Sequence, residues 1–113
     1  MSDCLFCKII AGDIPSTKVY EDEWVYAFLD IDPQAPFHAV IVPKIHVASA
    51  AEITAENSHY ISKIFEAVAK IAKQENLEKG FRVVNNCGED GGQTVGHIHF
   101  HLLARRYLQW PPG

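Results

Sequence analysis

Residues 97–103 read His-Ile-His-Phe-His-Leu-Leu, polar and apolar positions alternating with a period of two as far as Leu102. In an extended strand this puts His97, His99 and His101 on one face and Ile98, Phe100 and Leu102 on the other. One face is then given to chemistry and the other to a core. Residues 39–42 are apolar without interruption and end at Pro43, which predicts a central strand covered on both faces. Residues 19–21 and 25–29 predict a hairpin turning at Asp22 and Glu23, and residues 81–85 predict a further strand.

The period changes between 55 and 78. Ile61, Ile64, Phe65, Val68, Ile71 and Ala72 recur at i, i+3, i+4, i+7, one stripe of a long helix with Thr54 as N-cap and Gly80 as stop. A short helix carrying Leu5, Phe6, Ile9 and Ile10 is expected near the start, capped by Ser2 or Asp3 and stopped by Gly12. Prolines make 30–36 a loop, three glycines do the same for 86–94, and Pro111 and Pro112 keep the tail 108–113 extended. Five strands with one long and one short helix give an α+β fold with an antiparallel sheet, a single domain over residues 1–113. The long helix needs to cover only one face, leaving the other for a site or a partner subunit.

Composition narrows the function. The chain is 48% apolar with both charge signs mixed, as in a soluble globular domain. A net charge of −4 offers no footprint for a nucleic-acid polymer, so a bound nucleotide is expected singly, in a pocket. No apolar run resembles a signal peptide or a membrane span, and three cysteines do not make a disulfide framework. A cytosolic, membrane-free protein is expected.

A strand rise of ~3.3 Å separates neighbouring histidines by about 6.6 Å and the outer pair by about 13 Å. One zinc, which takes nitrogen ligands at about 2.1 Å, cannot be held by all three. Two neighbours can flank a tetrahedral phosphorus, one attacking while the other binds oxygen or supplies a proton. Cys4-x-x-Cys7 reads equally as a redox pair, as two buried thiols or as half of a zinc site; His46 and His97 would complete Cys₂His₂. Cys87 has no evident partner. The loop 86–94, with Gly92, Gln93 and Thr94, suits close backbone approach to an anion or serves as an ordinary connection. Asp30 and Asp32 either bind sugar hydroxyls or cap their turn.

With these residues assembled, the sequence resembles the histidine triad (HIT) superfamily, whose signature is His-φ-His-φ-His-φ-φ with φ apolar; here it is His97-Ile98-His99-Phe100-His101-Leu102-Leu103. The likeness runs through Phe6-x-Lys8-Ile9-Ile10, Ile14-Pro15, Asp30-Ile31-x-Pro33-Gln34-Ala35-Pro36, His38 and Val42-Pro43-Lys44-x-His46. It continues through Asn86, Asp90-Gly91-Gly92-Gln93 and Trp110-Pro111-Pro112-Gly113, the last similar to the Hint branch of purine nucleoside phosphoramidases. The resemblance implies that His99 attacks the α-phosphorus to give a nucleotidyl-histidine, that His101 contacts phosphate and helps protonate the leaving amine, and that His38 supports them. It implies phosphate contacts from Asn86, Gln93 and Thr94, ribose binding by Asp30, and a purine slot of Leu5, Phe6, Ile9, Phe28 and Ile31. It implies a homodimer of joined five-stranded sheets, with the Trp110 tail near the neighbouring site, and no cofactor for catalysis. Thr94 stands where the Hint pattern usually has Ser. The cysteine pair belongs to a subset whose members bind a structural zinc through residues matching Cys4, Cys7, His46 and His97.

Three other readings compete with a P–N hydrolase. A dinucleoside polyphosphate hydrolase would prefer a different substrate. A purine-nucleotide-binding regulatory module would tolerate loss of hydrolysis, and a zinc-dependent interaction protein would tolerate loss of the triad.

Overall fold

The computed structural model describes residues 3–113. Among these, the chain runs α1 (Leu5–Ala11), β1 (Lys18–Glu21), β2 (Val25–Leu29), β3 (Phe37–Pro43), a 3₁₀ turn (Ala50–Glu52), α2 (His59–Gln74), β4 (Phe81–Val84) and β5 (Phe100–Ala104). The strands form one antiparallel sheet in the order β1-β2-β3-β5-β4. The expected α+β class and five-stranded sheet are present.

β3 is central and buried along its whole length, as its unbroken apolar run requires. Its alternate residues divide the core in two. Ala39 and Ile41, with Val25, Ala27, Phe100 and Leu102, meet Ile64, Ala67, Val68 and Ile71 of α2. Val40 and Val42, with Tyr26 and Phe28, meet Phe6 and Ile9 of α1. Ile41 and Leu102 are wholly buried; truncating such a side chain to alanine costs roughly 2–5 kcal/mol. That burial anchors β3 and β5 to α2, leaving their other face to carry the histidines.

Several boundaries differ from the sequence expectation. β3 begins at Phe37 rather than 39, which takes His38 into the sheet. The long helix spans His59–Gln74 rather than 55–78. Thr54 caps a separate turn, accepting from the Glu56 N–H at 3.2 Å while its own N–H donates to Asn57 Oδ1 at 2.8 Å. The helix stops before Gly80 because Asn76 adopts φ +57°. There the Asn76 and Leu77 N–H groups donate to the carbonyls of Lys73 and Ala72, a Schellman closure that Leu77 seals by burial. On the stripe, Phe65 is 49% exposed and Ala67 takes a buried place instead.

α1 is capped by Cys4, whose Sγ accepts from the Cys7 N–H at 3.3 Å; Asp3 is not the cap, and Ser2 lies outside the described residues. Gly12 ends α1 as expected, at φ +84°. The ladder of β5 starts only at Phe100, so His97 and His99 precede it. β3 pairs with β5 no further than Ile41 opposite Phe100, and the Ile98 N–H donates instead to the Val47 carbonyl at 2.7 Å. The alternation survives all the same: Ile98 joins the α2 side, whereas His97 and His99 contact Phe6 on the α1 side. Among the described residues no helix is long and apolar enough to cross a membrane.

Candidate active site and metal centre

Strand register brings His38 to His101. Val40 lies opposite His101 and His38 opposite Leu103, so the two imidazoles are diagonal neighbours on one face. His38 Nε2 is 2.8 Å from His101 Nδ1. The Asp30 N–H donates to the His38 carbonyl at 3.0 Å, extending the β2–β3 pairing by one step. This delivers Asp30 Oδ2 to 3.4 Å from His38 Nε2 and 4.0 Å from His101 Nδ1.

The partners fix which nitrogens carry hydrogen. His99 Nδ1 lies 2.8 Å from the His97 carbonyl, an acceptor only, so Nδ1 donates and Nε2 keeps its lone pair. His38 Nδ1 accepts from the Gln34 N–H at 3.0 Å, so the neutral ring bears hydrogen on Nε2 and donates to His101 Nδ1. His101 then bears hydrogen on Nε2. His99 therefore offers a nucleophilic nitrogen, and His101 a proton. The Phe6 ring packs edge-on against His99 at 4.9 Å, and the Asn85 Nδ2 donates to the His99 carbonyl at 2.9 Å, so ring and backbone are both held.

A cleft of about 580 Å³ opens over His99 and His101. Leu5, Phe6, Ile9, Phe28 and Ile31 all line it, as do Asp30 and Thr94; Ile31 is fully exposed at its mouth. The cleft lining does not include Asn86, Gly92 or Gln93. Both amide hydrogens of Gln93 are occupied, by the Ala48 carbonyl at 2.8 Å and the Val95 carbonyl at 2.9 Å, and its Oε1 accepts from Gly88 N–H. The N–H groups of Gly92 and Gln93 also close within the loop, onto Glu89 and Gly88. The loop is thus a compact brace that places Thr94. A side chain at Gly91 would meet the Cys87 carbonyl oxygen at 2.4 Å, so the turn needs glycine there. Cys87 itself lies against Ser49.

Burial favours the neutral forms of His38 and His101 in the free site. Burial pushes His101 down to about 4, helped by the neighbouring His99 and His38 and opposed by Asp30. Burial likewise lowers His38 against the pull of Asp30 and Asp32. A histidine whose pKa is depressed on folding costs stability at acid pH, because the unfolded chain takes up a proton that the folded ring resists. Stability is therefore full above the unfolded value near 6.5 and declines until about pH 4. The shift of His101 corresponds to about 3 kcal/mol, and a His101→Asn variant should show a correspondingly shallower acid limb in urea titrations between pH 7 and 4.

A second cluster lies on the same face beyond His99. Cys4, Cys7, His46 and His97 each direct one donor atom to a common point, all within 4.8 Å of one another. His97 Nδ1 is 3.3 Å from Cys4 Sγ, 3.5 Å from Cys7 Sγ and 3.3 Å from His46 Nδ1, and Cys7 Sγ is 3.4 Å from His46 Nδ1. A zinc tetrahedron with ordinary bond lengths has edges of roughly 3.3–3.8 Å. The His97 Nε2–H donates to the Pro43 carbonyl at 3.1 Å, leaving Nδ1 as ligand with its partner in place behind it. The donor set fits zinc. Asp30, His38 and His101 also cluster, but Gln34 holds the His38 tautomer with hydrogen on Nε2, which disfavours a metal there.

Sequence reasoning missed Gln34, Asn85 and Pro43, which act through backbone groups or hold the backbone of a histidine. Gln34 and Pro43 stood within the family-like motifs without a role in the site, and Asn85 was marked only by its place beside the glycine loop.

The sequence matches the HIT domain family over residues 11–108. It is 48% identical over 120 residues to a 14 kDa zinc-binding protein of Zea mays, covering 99% of this chain and 89% of that one. It is 44% identical over 114 residues to the Arabidopsis thaliana adenylylsulfatase HINT1, covering 99% and 78%. Among solved structures, a HIT family hydrolase of Legionella pneumophila superposes with a TM-score of 0.95 at 47% identity, covering 98% of this chain and all of that one. A histidine triad nucleotide-binding protein of Candida albicans superposes at 0.80 with 41% identity, covering 88% and 73%.

Proposed function

We propose that this chain, which belongs to the HIT domain family, is a nucleotide hydrolase that cleaves the P–N bond of purine nucleoside 5′-phosphoramidates through a nucleotidyl-His99 intermediate. The observation that carries the reading is the tautomer of His99: Nδ1–H held by the His97 carbonyl, Nε2 with its lone pair, and an apolar cleft beside the ring. The cleft accommodates a flat base among Leu5, Phe6, Ile9, Phe28 and Ile31, with Asp30 near the sugar and Thr94 near the phosphate. One relative named as a hydrolase and one named as a nucleotide-binding protein support the coarser reading of a nucleotide hydrolase.

The chemistry then follows in two displacements. The phosphoramidate anion settles beside the His38–His101 pair and raises its proton affinity, as a charge within ~4–6 Å does by one to three units. His99 Nε2 forms a bond to phosphorus as the P–N bond breaks, and the leaving amine takes a proton from His101 Nε2. Water next attacks phosphorus, gives its proton back to His101 Nε2, and releases the nucleoside monophosphate as the P–Nε2 bond breaks. No metal takes part in either step.

Cys4, Cys7, His46 and His97 would hold one structural zinc, all four positions being filled by protein. The relative named for zinc binding supports this. We place the protein in the cytosol, where both thiols would stay reduced. We also infer a homodimer: β4 is an edge strand, with Phe81 43% exposed and Trp110 77% exposed. Within one chain Arg82 holds the tail, donating to the Leu108 and Gln109 carbonyls beneath the Trp110 ring.

The name adenylylsulfatase on a relative favours one further reading, an acid rather than an amine as leaving group on the same adenylyl-histidine. Steady-state assays with an adenosine phosphoramidate, adenylyl sulfate and a diadenosine polyphosphate in one preparation separate the cases. The proposal expects the phosphoramidate to give kcat/KM at least tenfold above either competitor. Preference for the polyphosphate would overturn it.

A further inference from the structure

The carboxylate of Asp30 is divided between two tasks. Oδ1 accepts from the Asp32 N–H at 2.8 Å, and Oδ2 faces His38 Nε2 and His101 Nδ1 at 3.4 and 4.0 Å. With the 2.8 Å contact between the two nitrogens, these atoms form a closed triangle. The neutral pair needs only the bond from His38 Nε2–H to His101 Nδ1. An additional proton has one place to go, because the Gln34 N–H already occupies His38 Nδ1. It must sit on His101 Nδ1, where it meets the His38 Nε2–H head-on. Of the groups around the pair, Asp30 Oδ2 is the acceptor placed to take both hydrogens.

We propose that Asp30 is the positioning residue of the His38–His101 pair, accepting both facing N–H groups when the pair is charged so that His101 can release its Nε2 proton to the leaving amine. After the transfer His101 remains neutral, with hydrogen on Nδ1 and none on Nε2. The empty Nε2 then accepts the proton of the attacking water, and the cycle closes. Around the pair, Asp30 comes from the end of β2, Asp32 from the loop beyond it, and His99 from the segment before β5. Asp30 is 21% exposed at its side chain, so its charge is only partly screened.

The inference rests on the hydrolase reading, and its test separates the two. Asp30→Asn keeps an acceptor for the Asp32 N–H and removes the charge; Asp30→Ser keeps a shorter acceptor and serves if the first variant folds poorly. Two-dimensional NMR of the histidine rings should show the midpoint of the pair falling by about one pH unit in the variant. The variant should lose about tenfold in kcat with little change in KM, and lose it equally on a 2′,3′-dideoxy phosphoramidate, which has no hydroxyls for Asp30 to hold. An unchanged midpoint would overturn the proposal. So would a kcat loss that vanishes on the dideoxy substrate, because Asp30 would then act through the sugar alone. Wild-type protein that hydrolyses no phosphoramidate would sink the hydrolase reading while the NMR titration still decides the role of Asp30.

Discussion

His99→Ala is expected to lower kcat for a nucleoside phosphoramidate by roughly 10⁴-fold, about 5.5 kcal/mol of activation free energy, with little change in KM. The size follows from the role. Without Nε2 there is no covalent step, and the remaining groups can only bind substrate and polarise its phosphate. The fold should tolerate the change. The Asn85 bond at this position goes to the His99 backbone carbonyl, and the Phe6 and Phe28 rings stay packed against each other, 5.6 Å apart. Rapid-mixing and steady-state assays on one preparation measure the loss. Retention of a tenth of the activity would rule out His99 as nucleophile.

Removal of metal is expected to have the second largest effect. α1 has seven residues, too short to persist unaided, and its N-cap is a candidate ligand. A zinc on the four candidate donors would tie that cap to His46 beyond β3 and to His97 before β5. α1 also supplies Phe6, which contacts both His97 and His99. A zinc bound at a hundred times its dissociation constant adds about 2.7 kcal/mol, so chelation or a Cys4→Ser, Cys7→Ser double variant should lower Tm by roughly 10 °C or more. Activity should fall with it, as the wall of the cleft loosens. Elemental analysis of protein purified without added zinc should give about one zinc per chain. A value near zero, with Tm insensitive to chelator, would dismiss the site.

Elements dominated by burial were legible in the sequence. The unbroken run at 39–42 identified β3 as central, and the alternation from His97 to Leu102 separated core from chemistry even where the ladder stops. The ends of α2 were not legible, because the local hydrogen bonds of Thr54 and Asn57 and the left-handed Asn76 decide them. Propensity favoured Gly80 for the stop, but the burial of Leu77 made Asn76 the better place to turn.

The candidate site divides in the same way. Of its side chains, His99, His101 and the four metal-ligand candidates could be named from residue type and spacing, whereas His38 entered only through the family resemblance. The arrangement that tunes them could not, since it depends on register: His38 reaches His101 across β3 and β5, and Asp30 reaches both through one added β2–β3 bond. Backbone groups at Gln34, Pro43 and His97 set the three tautomers, and a carbonyl carries no signature in a sequence. Gln93 looked like a phosphate donor by type, yet both its donor hydrogens are held by Ala48 and Val95.

The proposed mechanism turns on a bond from His99 Nε2 to phosphorus. Intact-mass measurement of wild-type protein, mixed with an adenosine phosphoramidate and quenched within milliseconds to seconds, tests it most directly. A transient species heavier by one adenylyl group is expected, absent from His99→Ala and decaying at the rate of turnover. An adduct of equal mass in the His99→Ala protein would contradict the mechanism.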